Sequence, residues 1–192
     1  REIRTLEGIE RLVALRSLRL GANELEALTP LAALTELQFL DLSDNAISDL
    51  AAIAHLARLT SLDLSANALA RVDSLGRLQQ LTHLDLKDNA IADIAPLAAL
   101  RRLRLLNLDN NRVRDIAPLM GLRLLTDLEL SGNPLDDIDA LKMLELRGVQ
   151  VHYYVPLKTP LARRSKKISA PNSAISKAHS PTRYSNGLPF ST

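Results

Sequence analysis

Leucine, isoleucine and valine recur along this chain with a period of 22 residues. Counting from Leu15 as repeat position 1, apolar residues fill positions 1, 4, 6, 11, 14, 17 and 20, and asparagine fills position 9. Six full repeats therefore cover residues 15–146. An internal repeat of this length predicts a solenoid, in which each turn of the chain packs only against its neighbours. The later repeats start at Leu37, Leu59, Leu81, Leu103 and Leu125.

Each repeat contains one short segment in which apolar and polar residues alternate. In Leu40-Asp41-Leu42 the leucines point to one side and the aspartate to the other, which is typical of a half-buried β-strand. The remaining residues are too few for an α-helix of average length, so the return path is predicted to be extended or 3-10 helical. Aspartates at its start are placed to cap it by accepting backbone N–H hydrogen bonds. They are Asp49, Asp93, Asp115 and Asp137.

These elements predict an α/β repeat solenoid that is curved and right-handed. A parallel sheet forms its concave side, and short 3-10 or irregular segments form its convex side. The asparagine at position 9 follows the strand, where its buried side chain can satisfy backbone groups that otherwise cost about 1–3 kcal/mol each. We expect a structural hydrogen-bond ladder, not a binding site, formed by Asn23, Asn45, Asn67, Asn89, Asn111 and Asn133.

The pattern LxxLxLxxNxL resembles that of the leucine-rich repeat family. Phrases of the form Asp-Ile-x-Pro-Leu are similar to those of its 22-residue, internalin-like subclass, and they occur at Asp93-Ile94-Ala95-Pro96-Leu97 and Asp115-Ile116-Ala117-Pro118-Leu119. The convex side departs from this phrase at Ala27 and Arg71, which replace the aspartate, and at Ala52, Ser74 and Ala140, which replace the proline. The resemblance implies a solenoid that recognises a protein partner on its concave face.

The two ends of the array differ from its middle. Residues 1–14 align with the later part of a repeat, with Arg1 in the asparagine position, so we expect a partial N-terminal repeat of a truncated array. Residues 139–147 predict a short helix, and residues 147–155 predict a C-terminal capping strand. Residues 156–192 are rich in serine, proline and basic residues, which predicts a disordered tail. The strand side chains expected to face the core are Val149, Val151, Tyr153 and Val155.

Composition and charge narrow the functional classes. The 192 residues include no cysteine, which excludes disulfide frameworks, thiolate metal sites and cysteine nucleophiles. No apolar run approaches the ~18 residues that cross a bilayer, so no transmembrane segment is expected. Residues 1–155 carry 17 Lys and Arg against 22 Asp and Glu, whereas residues 156–192 carry 7 basic residues and no acid. The net charge of +2 therefore conceals an acidic body followed by a basic tail.

The strand pattern also identifies the outward side of the predicted sheet, which we call the sheet face. It consists of repeat positions 3, 5 and 7. Position 5 places Asp41, Asp63 and Asp85 on consecutive strands about 4.8 Å apart, so their like charges oppose one another. Either this row is simply solvated, or a cationic partner relieves its repulsion. The residues expected to bind a partner are Phe39, Asp41, Asp63, His83, Asp85, Leu105, Asn107, Asp127 and Glu129.

Phe39 is the only aromatic residue before Tyr153, and position 3 points it outward. An exposed aromatic side chain beside charges is a candidate hot spot for protein binding. The plainer interpretation is a tolerated apolar residue, since single exposed apolar side chains are normal. Leu105, three strands away, is a candidate second anchor.

Ser61, His83 and Asp85 are predicted on neighbouring strands of the same face, where they resemble a nucleophilic triad only weakly. Exposed positions on a solenoid lack the buried orienting carboxylate and the oxyanion donors that acyl transfer requires. The aspartate row also lacks the six to eight oxygens of a strong Ca²⁺ site. We therefore expect no enzyme activity, no catalytic residue, no metal site and no cofactor.

The combined features favour a monomeric, internalin-like protein–protein interaction module whose partner has a basic surface. One alternative is an intracellular regulatory scaffold, since phosphatase regulatory subunits have similar 22-residue repeats. Another is contact of the tail with nucleic acid or an acidic membrane through Arg163-Arg164-Ser165-Lys166-Lys167. The Asp-Ile-Ala-Pro phrases favour a bacterial surface or secreted protein over a cytoplasmic one. Thr159-Pro160 and Ser180-Pro181 favour a phosphorylatable eukaryotic protein, and both settings stay open.

Overall fold

One parallel sheet runs through the computed structural model, which describes residues 3–154. Its seven strands follow one another in sequence order, and each has three residues: β1 Ser17–Arg19, β2 Phe39–Asp41, β3 Ser61–Asp63, β4 His83–Asp85, β5 Leu105–Asn107, β6 Asp127–Glu129 and β7 Gln150–His152. Arg1, Val155 and the basic tail at 156–192, for which the sequence makes predictions, lie outside the described residues.

Equivalent residues of successive repeats lie side by side in this sheet. Leu18 pairs with Leu40, and the same interval of 22 residues continues to the pair of Leu106 and Leu128. Leu128 then pairs with Val151, so this interval is one residue longer than the others. Here a short helix replaces the 3-10 segment. The predicted strand of each repeat and its inward–outward phase are therefore confirmed.

The leucine columns form a continuous aliphatic core behind the sheet. Leu40, Leu62 and Leu84, at the centres of their strands, are at most 2% exposed. Burial weakens at the two ends, where Leu18 is only half-buried and Ile138 is 40% exposed. An inner repeat is covered by neighbours on both sides, whereas the first and last described repeats are covered less completely, which accounts for these exceptions.

Short 3-10 segments connect most strands to the next. All four capping aspartates behave as predicted, and Asp93 is typical, since its Oδ1 accepts a hydrogen bond from the Ala95 N–H at 2.8 Å. Pro96 and Pro118 lie early in their segments, where a missing backbone N–H costs little. The predicted repeat solenoid with a parallel sheet and 3-10 connections is confirmed. The segments are Ile9–Arg11, Thr29–Ala33, Ala51–Ile53, Asp73–Arg77, Ala95–Ala99 and Ala117–Gly121.

A left-handed backbone conformation recurs at repeat position 8, just after each strand from β1 to β6. Left-handed geometry costs about 1–2 kcal/mol for a residue with a Cβ atom, yet Gly132 is the only glycine at this position. The apolar pattern gives no sign of this turn. The φ angles are 56° at Ala22, 53° at Asp44, 52° at Ala66, 54° at Asp88, 54° at Asn110 and 75° at Gly132.

Helix α1, Asp139–Leu146, and strand β7 close the described array. Leu141 and Leu144 of α1 are buried, and so is Val149 ahead of β7. The expectation that Tyr153 faces the core is wrong, because strand pairing ends at His152 and Tyr153 is 37% exposed. Within residues 3–154, α1 included, no helix has the length and apolar character that a membrane span needs.

Candidate interaction surface

The sheet face presents two rows of half-buried side chains. In each strand from β2 to β6 the central leucine is buried and the residues on either side of it are half-buried. The register places Asp63 beside Asp41 on one side and beside Asp85 on the other. Asn107 and Glu129 extend this row across β5 and β6. The position-5 side chains singled out from the sequence therefore lie in one line.

Phe39 lies near the β1 end of the other row. Its ring faces the guanidinium group of Arg19, whose central carbon lies 5.1 Å from the ring centroid. A cation at this distance is attracted to the face of an aromatic ring, which holds both side chains in place. Arg19 was not among the residues expected to bind a partner, although its place at position 5 of β1 could have identified it.

Leu105 and Phe39 do not form one apolar patch. Both belong to the position-3 row, but Ser61 and His83 lie between them. Three strand spacings separate the two residues, which is roughly 14 Å. Asp127 follows Leu105 in the same row. The face therefore offers two separate apolar points with polar side chains between and around them.

Asp41 and Asp63 are tied to the turns that follow their own strands. The Oδ1 atom of Asp41 accepts hydrogen bonds from the Ser43 N–H at 3.0 Å and from the Ser43 hydroxyl at 2.7 Å. Asp63 accepts the same two bonds from Ser65, at 2.9 Å and 2.7 Å. These bonds orient both carboxylates and give them a structural role. The alternation of inward and outward residues predicted only that they lie on the sheet face. The Asp-x-Ser spacing is the sequence signal that could have revealed the structural role.

Asp85 holds its proton more tightly than an ordinary aspartate. Burial is the main cause that raises its pKa to about 6, and the negative charge of Asp63 adds to it. Hydrogen bonds from the Lys87 N–H at 2.9 Å and from Asn107 Nδ2 at 3.2 Å act in the opposite direction, as does the charge of Lys87. The ionised form of Asp85 is thus short of compensating charge, and a nearby cation would stabilise it.

Two further acids toward the β7 end have the same character. Burial raises the pKa of Asp109, although its Oδ1 accepts a hydrogen bond from the Ser131 N–H at 2.7 Å. Burial also raises the pKa of Glu129, against the effect of His152, and the charges of Asp109 and Asp127 contribute to the increase. Asp109 and His152 were not among the expected partner-binding residues. Repeat position 7 could have identified Asp109 as a residue of the sheet face. His152 can be identified only from the register of β7.

Negative charge dominates the sheet face. Arg19 and Lys87 are the only Lys or Arg residues at positions 3, 5 and 7 of the six repeats, whereas six acids occupy those positions. None of these acids takes part in an ion pair within residues 3–154. The ion pairs of that region join Arg4 with Glu24, Arg58 with Glu36, Arg71 with Asp73, Arg114 with Asp136 and Lys142 with Asp139.

Ser61, His83 and Asp85 lie close together without forming a hydrogen-bonded triad. The Nδ1 atom of His83 lies 2.8 Å from the Thr82 hydroxyl, and Asp85 bonds to Asn107 and to the backbone of Lys87. Burial lowers the pKa of His83, and the positive charge of Arg104 lowers it further. Among residues 3–154, no three or more His, Asp or Glu side chains are grouped so that they could hold a metal ion.

The position-9 asparagines lie beneath the turns and not on the sheet face. In Asn45, Nδ2 donates to the carbonyls of Leu20 at 3.0 Å, Leu42 at 3.1 Å and Ser43 at 3.0 Å. Its Oδ1 accepts the N–H of Leu25 at 2.9 Å. One side chain therefore joins its own turn to the preceding repeat, as a hydrogen-bond ladder requires. The same four bonds recur at Asn67, Asn89, Asn111 and Asn133, and Asn23 makes three.

Two family models match this chain. The model described as leucine-rich repeats in two copies matches residues 57–99, 79–119 and 101–143, and a second leucine-rich repeat model matches residues 13–69. No curated protein matches the chain significantly.

Solved structures of three bacterial proteins are similar. Internalin InlF of Listeria monocytogenes is 32% identical with a TM-score of 0.74, over 80% of this chain and 47% of that one. Internalin C2 of the same bacterium is 30% identical with a TM-score of 0.68, over 80% of this chain and 77% of that one. A leucine-rich repeat protein of Leptospira interrogans is 25% identical with a TM-score of 0.71, over 78% of this chain and 40% of that one. The chain thus spans about half the length of InlF.

Proposed function

The chain belongs to the leucine-rich repeat family, and from that premise we propose that it binds a protein partner on its sheet face. Its internalin-like fold is generally that of a protein-interaction module, and such modules are typically not enzymes. The repeat scaffold does not specify a ligand, because repeat proteins reuse one architecture for unrelated partners. The choice of surface and partner therefore rests on the side chains that the scaffold displays.

The observation that carries the proposal is the row of neighbouring acids at position 5. Asp41, Asp63 and Asp85 lie on adjacent strands, and none of them has an ion-pair partner within residues 3–154. A partner that brings Lys or Arg side chains to this row would relieve its mutual repulsion. Complementary charge of this kind steers encounter and fixes the register of a complex. We therefore infer a partner with a basic surface.

Phe39 provides an anchor at the β1 end of the face. Aromatic and arginine side chains are enriched among the residues that dominate binding energy, and here the two types are stacked together as Phe39 and Arg19. The Arg19 contact restricts the ring before binding, so less conformational entropy is lost in a complex. Leu105 offers a second and smaller apolar contact.

The similarity to two internalins and to a third bacterial repeat protein favours the internalin-like setting over an intracellular phosphatase scaffold. The alternative in which the basic tail at 156–192 makes the contact depends on a different part of the chain. The two locations predict opposite responses to mutation. They can therefore be separated with one set of full-length variants.

The test uses the full chain as bait for cross-linking and capture of proteins with basic surfaces. The sheet-face variant combines Phe39→Ala with Asp63→Lys. The matched control combines Leu146→Ala with Glu26→Lys, which removes an 81% exposed leucine from α1 and reverses an exposed acid away from the sheet face. Thermal unfolding of each variant tests whether the fold is retained.

A partner that is captured by the wild-type and control chains, and lost with the sheet-face variant, supports the proposal. Capture that is equal for both variants contradicts it. Capture that survives the sheet-face changes but disappears when Arg163, Arg164, Lys166 and Lys167 are replaced by glutamine assigns binding to the tail instead.

A further inference from the structure

Five exposed arginines lie on one edge of the solenoid, from the end of a 3-10 segment to the start of the strand that follows it. The stretches at 76–82, 98–104 and 120–126 hold all five and contain no aspartate or glutamate. We call this cluster the arginine edge. Its members are Arg77, Arg101, Arg102, Arg104 and Arg123.

The stacking of repeats brings these arginines together. Arg101 and Arg123 occupy the same position of adjacent repeats. The backbone of Arg104 joins its neighbours on both sides: its N–H donates to the Thr82 carbonyl at 2.9 Å, and its carbonyl accepts from the Thr126 N–H at 2.8 Å. The cluster is therefore continuous over three successive turns of the chain.

The positive charge of this edge is not neutralised within the described residues. Four arginines elsewhere in residues 3–154 pair with acids, and Arg58 with Glu36 and Arg114 with Asp136 are two of these pairs. None of the five members joins an ion pair within residues 3–154, and Arg102 donates instead to the neutral amide oxygen of Gln80 at 2.6 Å. The field of the cluster is felt on the sheet face, where Arg104 helps to lower the pKa of His83.

We propose that the arginine edge binds a sulfated polysaccharide. A guanidinium group donates two parallel N–H bonds to a sulfate or phosphate oxygen pair, so closely spaced arginines suit a polymer that carries such groups at regular intervals. The uncharged polar side chains among them are amides and hydroxyls, such as Gln79, Gln80 and Thr82, which can bond to sugar hydroxyls.

Other polyanions fit this edge less well. Within residues 3–154 the aromatic side chains are Phe39, Tyr153 and Tyr154, and none belongs to the three arginine-bearing stretches. Single-stranded nucleic acids bind largely through stacking of bases on aromatic rings, and protein partners favour aromatic anchors. A site whose polar side chains are arginines, amides and hydroxyls, with an exposed Leu124 but no aromatic ring, is better matched to a sugar polymer. This inference does not depend on the partner proposed for the sheet face, because the sheet face is negatively charged and the arginine edge is positively charged.

The test measures binding of a fluorescently labelled heparin dodecasaccharide to the full chain by fluorescence anisotropy in ~0.1 M NaCl. The edge variant combines Arg101→Gln, Arg104→Gln and Arg123→Gln. The matched control combines Arg71→Gln, Arg112→Gln and Arg114→Gln, which removes the same charge from exposed arginines away from the edge. We expect the edge variant to bind about tenfold more weakly or worse, and the control to stay within about twofold of wild type.

The basic tail provides the decisive comparison. A third variant replaces Arg163, Arg164, Lys166 and Lys167 with glutamine. If only this variant loses heparin, or if the edge and control variants lose it equally, the proposal is wrong.

Three further ligands test the chemistry: desulfated heparin, a DNA duplex and phosphatidylserine vesicles. Desulfated heparin is expected to bind at least about tenfold more weakly than heparin, because the sulfates supply most of the charge. A DNA duplex or phosphatidylserine vesicles that bind as tightly as heparin, with the same dependence on the edge arginines, would overturn the assignment to a polysaccharide.

Discussion

The side-chain oxygen of Asn67 accepts the backbone N–H of Ile47, a residue of the preceding repeat, at 2.9 Å. The amide nitrogen of the same side chain donates to the carbonyls of Leu42 at 3.0 Å, Leu64 at 3.1 Å and Ser65 at 3.1 Å. One residue thus satisfies one donor and three acceptors of two neighbouring turns. No other side chain of its size offers a donor and an acceptor in this arrangement.

Asn67→Ala is expected to destabilise the fold by about 2–4 kcal/mol, because it leaves several backbone groups without partners. Asn67→Asp should also be destabilising, since a carboxylate can accept from Ile47 but cannot donate to three carbonyls. Urea unfolding measures both changes. Asn23→Ala serves as the comparison, because Asn23 makes only three such bonds at the first repeat, and a loss equal to that of Asn67→Ala would contradict this account.

Ala66→Gly should increase stability by up to about 1 kcal/mol. Ala66 has a φ of 52°, a left-handed conformation that a Cβ atom disfavours and glycine adopts freely. The gain is offset in part by the greater freedom of glycine in the unfolded chain. Ala68→Gly is the matched control two residues later, where φ is not positive, and it should destabilise by about 0.5–1 kcal/mol. Opposite signs in thermal unfolding are the expected result.

Leu62→Ala should cost about 2–5 kcal/mol, because Leu62 is 1% exposed and its removal leaves a cavity in the aliphatic stack. Leu146→Ala deletes the same atoms from a side chain that is 81% exposed, so it should change stability by less than about 0.5 kcal/mol. The comparison is made by chemical denaturation at one pH. A small effect at Leu62 would mean that the strand faces the other way.

The parts of the fold that follow from periodicity could be predicted from the sequence. The Leu62 and Asn67 columns repeat without exception, and a repeated residue has a repeated environment once the repeats are stacked. The strand centres, the capping role of Asp93 and the asparagine bonds follow from this logic.

Features that depend on local backbone geometry could not be predicted in the same way. Alanine normally favours right-handed conformations, so the left-handed turn at Ala66 has no signature in its residue type. Tyr153 was misplaced because alternation predicts a side but does not show where strand pairing ends. The environment of Asp85 depends on Asn107 and Lys87 together, and burial of a carboxylate is not visible in residue parity.

Asp85 is expected to make the stability of the protein depend on pH. Its pKa is about 6 in the folded chain, above the usual value near 3.9 of an unfolded aspartate. Between these two values the folded chain binds more protons than the unfolded chain, so stability falls as the pH rises. Asp109 and Glu129, whose pKa values are also raised by burial, contribute in the same direction.

Asp85→Asn should therefore stabilise the protein at pH 7 by about 1–2 kcal/mol, because the amide has no charge to bury and its oxygen can still accept the Lys87 N–H. At pH 4 the wild-type carboxyl is itself protonated, so the two proteins should be equally stable.

Urea unfolding from pH 4 to pH 7 measures the stability of both proteins. The difference between the two curves isolates the effect of Asp85 from the effects of Asp109 and Glu129, which both proteins retain. A constant difference across this range would mean that the substitution acts through packing. A difference that is absent at pH 4, grows up to about pH 6 and is then retained at pH 7 assigns it to the buried charge. Because that charge is the one a basic partner would compensate, the same variant should weaken partner binding at pH 7 and leave it unchanged at pH 4.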